Sequence, residues 1–395
     1  MNKKQITGYD ILCLSTQDWD DLWTRKQRFM TMLARQNNRV LYVQQQMHWA
    51  GYIFDPVRQS YRLGEFKKPM REIEDNLYVT TLPLVIPGFQ VFKSINRINN
   101  RFIGSYLKER MKELDFSSPV LWTYTPHCGD LIGNLGEQFV LYECVDEFEA
   151  SKGLVKRETI RELETEVLKK ADLVSVTAPA LFENRKNRAK KIILVPNGAE
   201  VEHFAKATSP ETPVPEDVVW RKKPVLGFIG RIAYWIDLEL LHFIAREHPD
   251  WSVVLIGPPG GGISAEDLKG EPNFYWLGPR PYEELPGYLK GFDVCLNPYK
   301  TGDLAEGCSP LKLYEYLAGG CPVVSTDMAE ARKFEPLVYV AGDYVDFISK
   351  IKMALEEETD ALKKARMNEA KKYSWEARFK KLESVILDEI EFKSI

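Results

Sequence analysis

Short runs of apolar residues, many of them β-branched or aromatic, recur along the chain, and each is followed by a stretch with helical spacing. The runs are continuously apolar rather than alternating, which is typical of strands in a parallel sheet covered on both faces. They span 9–16, 39–45, 77–83, 119–126, 139–148, 171–179 and 191–198, and then 224–231, 251–258, 273–279, 292–299, 321–327 and 337–342. This repeated alternation of strand and helix predicts doubly wound α/β sheets.

The composition changes between the two series of strands. Residues 207–223 are rich in proline, threonine and charge and show no periodicity, which indicates a linker. A chain of 395 residues is also too long for one ordinary core. We therefore predict a Rossmann-like domain over 1–206, a second over 224–372, and a charged helix over 373–395. Such domains bind ligands in a cleft, where the carboxyl ends of strands and the amino ends of helices converge.

Charge and cysteine content argue against several functional classes. The net charge of −4 gives no overall attraction to nucleic acid. The six cysteines are scattered without a CxxC pair, which fits reduced thiols better than a disulfide framework or a zinc site. The chain has no run of about 18 apolar residues and no apolar signal core at its N-terminus. We expect a cytoplasmic protein that does not span a membrane.

The segment 90–114 predicts a basic amphipathic helix. Its apolar stripe consists of Val91, Ile95, Ile98, Phe102 and Tyr106, and its basic stripe of Lys93, Arg97, Arg101, Lys108 and Lys112. This pattern suits a helix on an anionic membrane surface, at the inner face of the plasma membrane. An ordinary packing helix with a solvated basic face explains it equally well.

The stretch "SPLKLYEYLAGG" predicts a short helix with a defined start and end. Ser309 has the side chain of an N-cap, and Pro310 suits the first helical position. Gly319 or Gly320 can adopt the left-handed conformation that ends many helices.

Two charged residues share one face of this helix, Lys312 and Glu315. A lysine in the first turn is unfavourable for the helix itself, so we expect an anionic ligand there. The free amides of the helix and Lys312 suit a diphosphate, and Glu315 suits the two hydroxyls of a ribose. The alternative is a simple Lys–Glu bridge on a solvated edge.

With these residues the chain resembles the donor-site motif of family-4-like GT-B glycosyltransferases. The stretch "SPLKLYEYLAGGCPVVS" is most similar to enzymes of teichuronic-acid and other exopolysaccharide assembly and to the xanthan glucuronosyltransferase. Further similar stretches lie at 193–204, 228–241, 248–258, 273–299 and 373–386. The resemblance implies two Rossmann-like domains facing a cleft, a last helix that crosses back to the N-terminal domain, and a nucleoside-diphosphate sugar, most often a uridine one, as donor.

The resemblance also implies donor-binding residues. Lys312 matches the phosphate-binding lysine, Glu315 the ribose position, Arg231 a further phosphate contact and Arg280 the nucleobase loop. The full implied set is Gly230, Arg231, Arg280, Pro281, Tyr299, Glu306, Ser309, Pro310, Leu311, Lys312 and Glu315. Many relatives carry two glutamates separated by seven residues, and Glu306 is displaced by one from that spacing. Contacts to the sugar ring are thus less well defined than contacts to the nucleotide.

Two residues of the first half are candidates for catalysis. Asp146 ends a predicted strand, where a carboxylate can take the proton of an acceptor hydroxyl. It resembles the catalytic aspartate of the inverting xanthan-type enzymes, although an N-cap role explains it too. His127 lies where retaining relatives often carry a histidine of the cleft, but a lone histidine is more often structural.

The loop after the first strand predicts acceptor contacts, for which we select Trp19, Arg25 and Gln27. Asp18 and Asp20 form a DxD, the metal signature of the other glycosyltransferase fold, but helix capping explains these residues as well. The stretch "GPPGGG" lacks the GK[ST] of a P-loop, and no GxGxxG follows the first strand of either domain. We expect no metal and no bound cofactor.

These observations predict a metal-independent, inverting glycosyltransferase with Asp146 as base, acting on a glycan or lipid-linked acceptor in bacterial cell-surface polysaccharide synthesis. A nucleotide-sugar 2-epimerase on the same scaffold is one alternative, and it would convert the donor with no acceptor present. A non-catalytic nucleotide- or glycan-binding module is another, and it would bind the donor without transfer or hydrolysis.

Overall fold

The computed structural model describes residues 5–48, 56–150, 155–302 and 308–393. Contacts between residues divide the chain into two compact units. Unit 1 consists of Met1–Pro196 and Phe379–Ile395, and unit 2 consists of Asn197–Arg378. Each unit contains one main parallel sheet with helices, so the predicted pair of doubly wound α/β domains is confirmed.

Unit 1 is built on a sheet in the order β10-β9-β8-β7-β1-β2-β5-β4, in which all neighbours are parallel except β4 and β5. Its strands are β1 (Asp10–Leu14), β2 (Arg39–Val43), β3 (Met47–His48), β4 (Arg71–Glu74), β5 (Leu77–Thr80), β6 (Leu84–Val85), β7 (Val120–Thr123), β8 (Phe139–Cys144), β9 (Leu173–Val176) and β10 (Ile192–Leu194), with β3 and β6 paired separately. Its helices are α1 (Arg25–Arg35), α2 (Pro56–Phe66), α3 (Lys93–Glu113), α4 (Arg157–Lys170) and α5 (Pro179–Arg185). The central strands β1, β7 and β8 are buried throughout, which is why their sequences are apolar without alternation.

Unit 2 is built on a six-stranded sheet in the order β13-β12-β11-β14-β15-β16, with every neighbouring pair parallel. Its strands are β11 (Val225–Ile229), β12 (Ser252–Ile256), β13 (Phe274–Trp276), β14 (Val294–Asn297), β15 (Val323–Thr326) and β16 (Val338–Ala341). Its helices are α6 (Val201–Ala205), α7 (Glu216–Val219), α8 (Leu238–Glu247), α9 (Leu285–Gly291), α10 (Leu311–Ala318), α11 (Ala329–Arg332), α12 (Tyr344–Glu356) and α13 (Asp360–Ala370).

Both sheets reverse direction at their first strand. In unit 2 the chain proceeds outward from β11 to β13 and then restarts on the other side at β14. In unit 1 the same reversal occurs between β1 and β7. Ligands of open α/β sheets bind beyond the carboxyl ends of the two strands at such a switch point, because the loops diverge there. Ligand-binding residues are therefore expected in the loops after β1, β7, β11 and β14.

The last helix, α14 (Trp375–Lys393), starts in unit 2 and belongs to unit 1 from Phe379 onward. The Glu383 side chain accepts a hydrogen bond from the Ile6 amide at 3.0 Å, and the ring centroid of Phe379 lies 5.4 Å from that of Phe29. The crossing of the final helix back to the N-terminal domain is thus as predicted.

The segment 207–223 is part of unit 2 and contains α7. Lys290 on α9 donates hydrogen bonds to the carbonyls of Ser209 and Thr212 at 2.8 and 2.7 Å. A side chain at Gly287 would lie 2.4 Å from the Pro213 carbonyl oxygen, so the glycine permits this close approach. The segment predicted to be a linker is therefore held to α9 of unit 2 through its backbone carbonyls.

A search of the described helices finds none that is long and apolar enough to cross a membrane.

Candidate functional site

The helix α10 follows the switch-point strand β14 and carries the predicted donor motif. It begins at Leu311, with Pro310 as N-cap in an extended conformation. The predicted N-cap role of Ser309 is wrong, because its hydroxyl bonds elsewhere: it lies 2.8 Å from the Tyr314 hydroxyl and accepts from the Asn197 amide at 3.2 Å. Among the described residues no side chain caps the first amides of α10, and amides at the start of a helix that lack such a cap can bond a ligand.

The C-terminal end of α10 is as predicted. Gly320 adopts a φ of +72°, in the left-handed region. Its amide donates to the Leu317 carbonyl at 3.0 Å, and the Cys321 amide donates to the Tyr316 carbonyl at 3.1 Å. These two bonds form a Schellman motif, which satisfies the last carbonyls of the helix.

Lys312 and Glu315 form an ion pair, with Nζ 2.6 Å from Oε2. The two side chains are only 19% and 9% exposed, so the pair does not lie on a solvated edge. A side chain at Gly230, at the end of β11, would lie 3.4 Å from Lys312 Cε. The structure thereby brings together the Gly–Arg stretch after β11 and the charged face of α10, which the sequence placed at the same site.

A glycine-rich loop completes this part of unit 2. A side chain at Gly257 would lie 1.9 Å from the Gly230 carbonyl oxygen, so only glycine permits the approach of the two loops. A side chain at Gly260 would lie 3.2 Å from Arg231 Nη1, which places the guanidinium beside the same loop. The stretch that superficially resembles a P-loop therefore packs against the loop that carries Arg231.

Arg280 has protein partners in unit 2. Its Nη2 donates to Asp217 at 2.8 Å and its Nε donates to the Tyr288 hydroxyl at 2.7 Å. The hydrogen bond that Arg280 donates to Asp217 is the main reason that the pKa of Arg280 is raised. Pro281 beside it is exposed. The loop predicted to contact a nucleobase is therefore braced by α7 and α9.

The remaining predicted donor residues differ in their surroundings. Tyr299 is half-buried, and its carbonyl accepts a hydrogen bond from Thr326 at 2.7 Å. Leu311 is half-buried in the first turn of α10. Glu306 lies outside the described residues.

Asp146 follows β8 in unit 1, next to the switch-point strand β7. Desolvation raises the pKa of its carboxyl, and the nearby positive charge of Lys26 lowers that pKa in part. Asp146 is exposed, so its carboxyl is accessible to a substrate. Lys26 itself is buried on the first turn of α1, with Nζ 5.4 Å from the centre of the Tyr124 ring, and its burial lowers its pKa. Sequence reasoning assigned no catalytic part to Lys26, because only the fold places α1 beside the end of β8.

His127 follows β7, and its imidazole is buried. Burial lowers its pKa to about 4, so the ring is neutral at physiological pH. Its carbonyl accepts hydrogen bonds from the side chains of Asn96 and Asn100 at 3.0 and 2.9 Å, which fix the backbone. Among the described residues, neither ring nitrogen has a hydrogen-bond partner. An unbonded buried imidazole has the capacity to bond a substrate hydroxyl.

The three predicted acceptor residues, Trp19 in the β1–α1 loop and Arg25 and Gln27 in the first turn of α1, have partners within unit 1. Arg25 Nη2 lies 2.6 Å from the buried carboxylate of Glu143. Gln27 accepts a hydrogen bond from the Thr24 amide at 3.1 Å in a capping box. Trp19 is buried, with its ring centroid 5.0 Å from that of Tyr42. These three side chains therefore support the loop from within.

The two aspartates of the DxD stretch are also engaged by protein groups. Asp18 accepts from Arg62 Nε at 2.9 Å, and Asp20 accepts from Arg71 at 2.7 Å. Within the described ranges, no three histidine, cysteine or carboxylate side chains are grouped to hold a metal ion.

The predicted amphipathic segment forms α3, but its faces differ from the prediction. The buried face consists of Asn96, Asn99, Asn100, Ile103, Gly104, Leu107 and Met111, while Ile95 and Tyr106 are half-buried against the core. Ile98 and Phe102 point to solvent, the latter 65% exposed. The loop before α3 adds Ile86 and Phe92, since Ile86 is hydrogen-bonded through its backbone to Asn99. We call Ile86, Phe92, Ile98 and Phe102 the exposed apolar surface.

Part of the second unit is similar to a known family. A family model described as Glycosyl transferases group 1 matches residues 223–357. The protein named as a teichuronic acid biosynthesis glycosyltransferase, TuaH, of Bacillus subtilis (strain 168) is 31% identical over 261 residues. That match covers 62% of this chain and 65% of the relative, so the chain spans just under two thirds of the length of the curated relative.

Solved structures share the fold of the whole chain. A sucrose-phosphate synthase from Thermosynechococcus elongatus covers 96% of this chain, with 99% of its own length matched, a TM-score of 0.72 and 16% identity. The UDP-forming trehalose-phosphate synthase from Burkholderia xenovorans covers 99%, with all of its own length matched, a TM-score of 0.64 and 13% identity. Residues 223–357 therefore match the model of a glycosyl transferases group 1 domain, in a chain that has the two-domain GT-B fold of these solved structures.

Proposed function

We propose that the protein is a glycosyltransferase that moves a sugar from a nucleoside-diphosphate sugar to a hydroxyl of a glycan or lipid-linked acceptor in cell-surface polysaccharide synthesis. The observation that carries the proposal is the uncapped start of α10 beside the Lys312–Glu315 pair, at the switch point of unit 2. The likeness to a protein named for teichuronic acid biosynthesis supports the polysaccharide context. An E. coli structure of the same fold, described as bound with UDP-2-fluoro glucose, supports a uridine donor.

In this proposal the donor diphosphate lies at the amino end of α10. A lysine ammonium has three N–H donors, and Glu315 occupies one of them. The other two N–H donors bond phosphate oxygens, and the first amides of α10 bond a further phosphate oxygen. Together with Arg231 these groups stabilise the negative charge that develops on the departing diphosphate, without a metal ion. Glu315 accepts from the ribose hydroxyls.

Asp146 acts as the base that takes the proton of the acceptor hydroxyl, which then attacks the anomeric carbon with inversion. Partial desolvation raises the pKa of this carboxyl and so makes the carboxylate more basic. The positive charge of Lys26 lowers that pKa in part, which favours the carboxylate form. The neutral His127 ring offers one donor and one acceptor to a sugar hydroxyl.

The experiment is a transfer assay with a panel of nucleotide sugars, preceded by thermal shift to find those that bind. Asp146→Asn should retain donor binding and lose most of the transfer, since the amide cannot take the proton. Full transfer by this variant would contradict the role of Asp146. Conversion of the donor with no acceptor present would indicate an epimerase, and donor binding without transfer or hydrolysis would indicate a binding module.

We also propose that the exposed apolar surface rests on an anionic membrane, which would present a lipid-linked acceptor. Phe92 is 58% and Phe102 65% exposed, and Arg97 and Arg101 on α3 are exposed near them. Apolar side chains inserted at the headgroup boundary, flanked by arginines, suit such a surface.

Sedimentation with phosphatidylcholine vesicles, with and without phosphatidylglycerol, tests this surface. The wild type should bind only the anionic vesicles, and the double variant Phe92→Ser/Phe102→Ser should not. Phe392→Ser is the matched control, because Phe392 is 76% exposed on α14. A wild-type protein that stays in the supernatant at low salt would refute the proposal.

A further inference from the structure

Asn197, the first residue of unit 2, bonds Ser309 at two points. Its side-chain Nδ2 donates to the Ser309 carbonyl at 2.7 Å, and its backbone amide donates to the Ser309 hydroxyl at 3.2 Å. One residue thereby holds both the backbone and the side chain of Ser309. Ser309 lies two residues before α10, so the two bonds fix the direction in which the chain enters the helix.

Ser309 is held from its other side by a buried chain of hydroxyls. The Tyr314 hydroxyl donates to Glu330 Oε1 at 2.7 Å, so it accepts the 2.8 Å bond from Ser309. Ser309, Tyr314 and Glu330 are all buried, and burial raises the pKa of Tyr314, which keeps its hydroxyl protonated. Every donor in the series from the Asn197 amide to Glu330 therefore has one acceptor. Such a buried series is strengthened by the mutual polarisation of its bonds.

Asn197 is itself anchored to a distant part of unit 2. Its carbonyl accepts a hydrogen bond from Arg378 Nε at 3.2 Å. A side chain at the next residue, Gly198, would lie 2.5 Å from the Tyr373 carbonyl oxygen, and the Ala199 amide donates to that oxygen at 3.0 Å. The segment 197–199 thus lies against 373–378. An anchored asparagine is able to hold Ser309 in place.

We propose that Asn197 is a positioning residue of the donor site, which acts through Ser309 on the start of α10. The pose of Ser309 sets where the first amides of α10 point and where Lys312 lies beside Gly230. Asn197 itself touches no ligand in this scheme. The identity of the ligand, a nucleoside diphosphate, rests on the proposed function. The contact between Asn197 and Ser309 does not.

The test compares Asn197→Ala and Asn197→Asp with Asn273→Ala. Aspartate keeps the shape of asparagine but cannot donate to the Ser309 carbonyl. Asn273 is the matched control, because its buried side chain also donates to backbone carbonyls, those of Ala245, His248 and Trp251. Two readouts are measured: hydrogen exchange of the peptide 308–314 without ligand, and the Kd for UDP by calorimetry.

Both Asn197 variants should exchange faster over 308–314 and bind UDP about tenfold more weakly, as expected for one lost hydrogen bond. Asn273→Ala should leave both readouts near wild type while lowering thermal stability. Unchanged exchange over 308–314 would overturn the contact, and faster exchange with unchanged affinity would overturn the positioning role. A wild type that binds no UDP would instead refute the proposed nucleotide, and the exchange readout would still decide the contact.

Discussion

Replacing Lys312 by methionine separates its proposed part in binding from its part in stability. The variant keeps the length of the aliphatic stem but removes the charge that faces Glu315 at 2.6 Å. The donor would lose charge-assisted hydrogen bonds of about 1.5–3 kcal/mol, which corresponds to a Kd for UDP raised by about 10- to 100-fold. Glu315, only 9% exposed, would also be left without its cation, at a cost of about 1–3 kcal/mol in unfolding free energy.

A second substitution distinguishes the two effects. In Lys312→Met/Glu315→Gln the uncompensated carboxylate is gone, so the unfolding free energy should return close to wild type. The affinity should stay low, because the ammonium is still absent and the amide only replaces an acceptor. Calorimetry with UDP and urea unfolding measure the two quantities, and Lys352→Met, at an exposed lysine of α12, serves as control. Recovery of affinity together with stability would refute a direct contact between Lys312 and the diphosphate.

Three further predictions follow from other parts of the chain. Lys26→Met should move the acid limb of the pH–rate profile to higher pH, because Lys26 lowers the pKa of Asp146; an unmoved limb would contradict the coupling. His127 has a pKa of about 4 in the folded state against an ordinary value of 6.5, so the unfolded chain binds its proton first as the pH falls. The free energy of unfolding should therefore fall by up to about 3 kcal/mol between pH 6.5 and pH 4 because of this group. Urea unfolding should show a smaller fall over that range in His127→Phe than in the wild type. Gly320→Ala should cost about 1–2 kcal/mol in urea unfolding because of its φ of +72°, and the same substitution at Gly342, where an added methyl has open space, should cost little.

Local patterns were sufficient where the structure depends on near neighbours. The apolar run 224–231 contains β11, and the run 321–327 contains β15. The positions of Lys312 and Glu315, three apart in a helix that ends at a glycine, predicted a shared face, and the ion pair confirms it. Such features depend on the period of the helix and on the conformational freedom of glycine, which act within a few residues.

The same reasoning failed where a side chain bonds a distant segment. Ser309 has the residue type of an N-cap, but its hydroxyl bonds Asn197, which lies 112 residues earlier. Arg25 appeared to be a surface cation of a substrate loop, but its partner Glu143 lies 118 residues later in the buried strand β8. A sequence shows that an arginine needs an acceptor, yet the acceptor is known only after the sheet order is known.

The sequence by itself therefore determined the two α/β domains and the shared face of Lys312 and Glu315, because continuous apolar strands and the helical period are local properties. The returning last helix and the donor motif came from the resemblance to a known family. The tertiary structure alone decided which loops meet at each switch point, that Lys26 lies beside Asp146, and that the buried His127 ring has no hydrogen-bond partner among the described residues. The physical reason is that burial and pairing of charge depend on segments brought together by the order of the strands. That order is settled by packing over the whole domain, not within any one stretch of the chain.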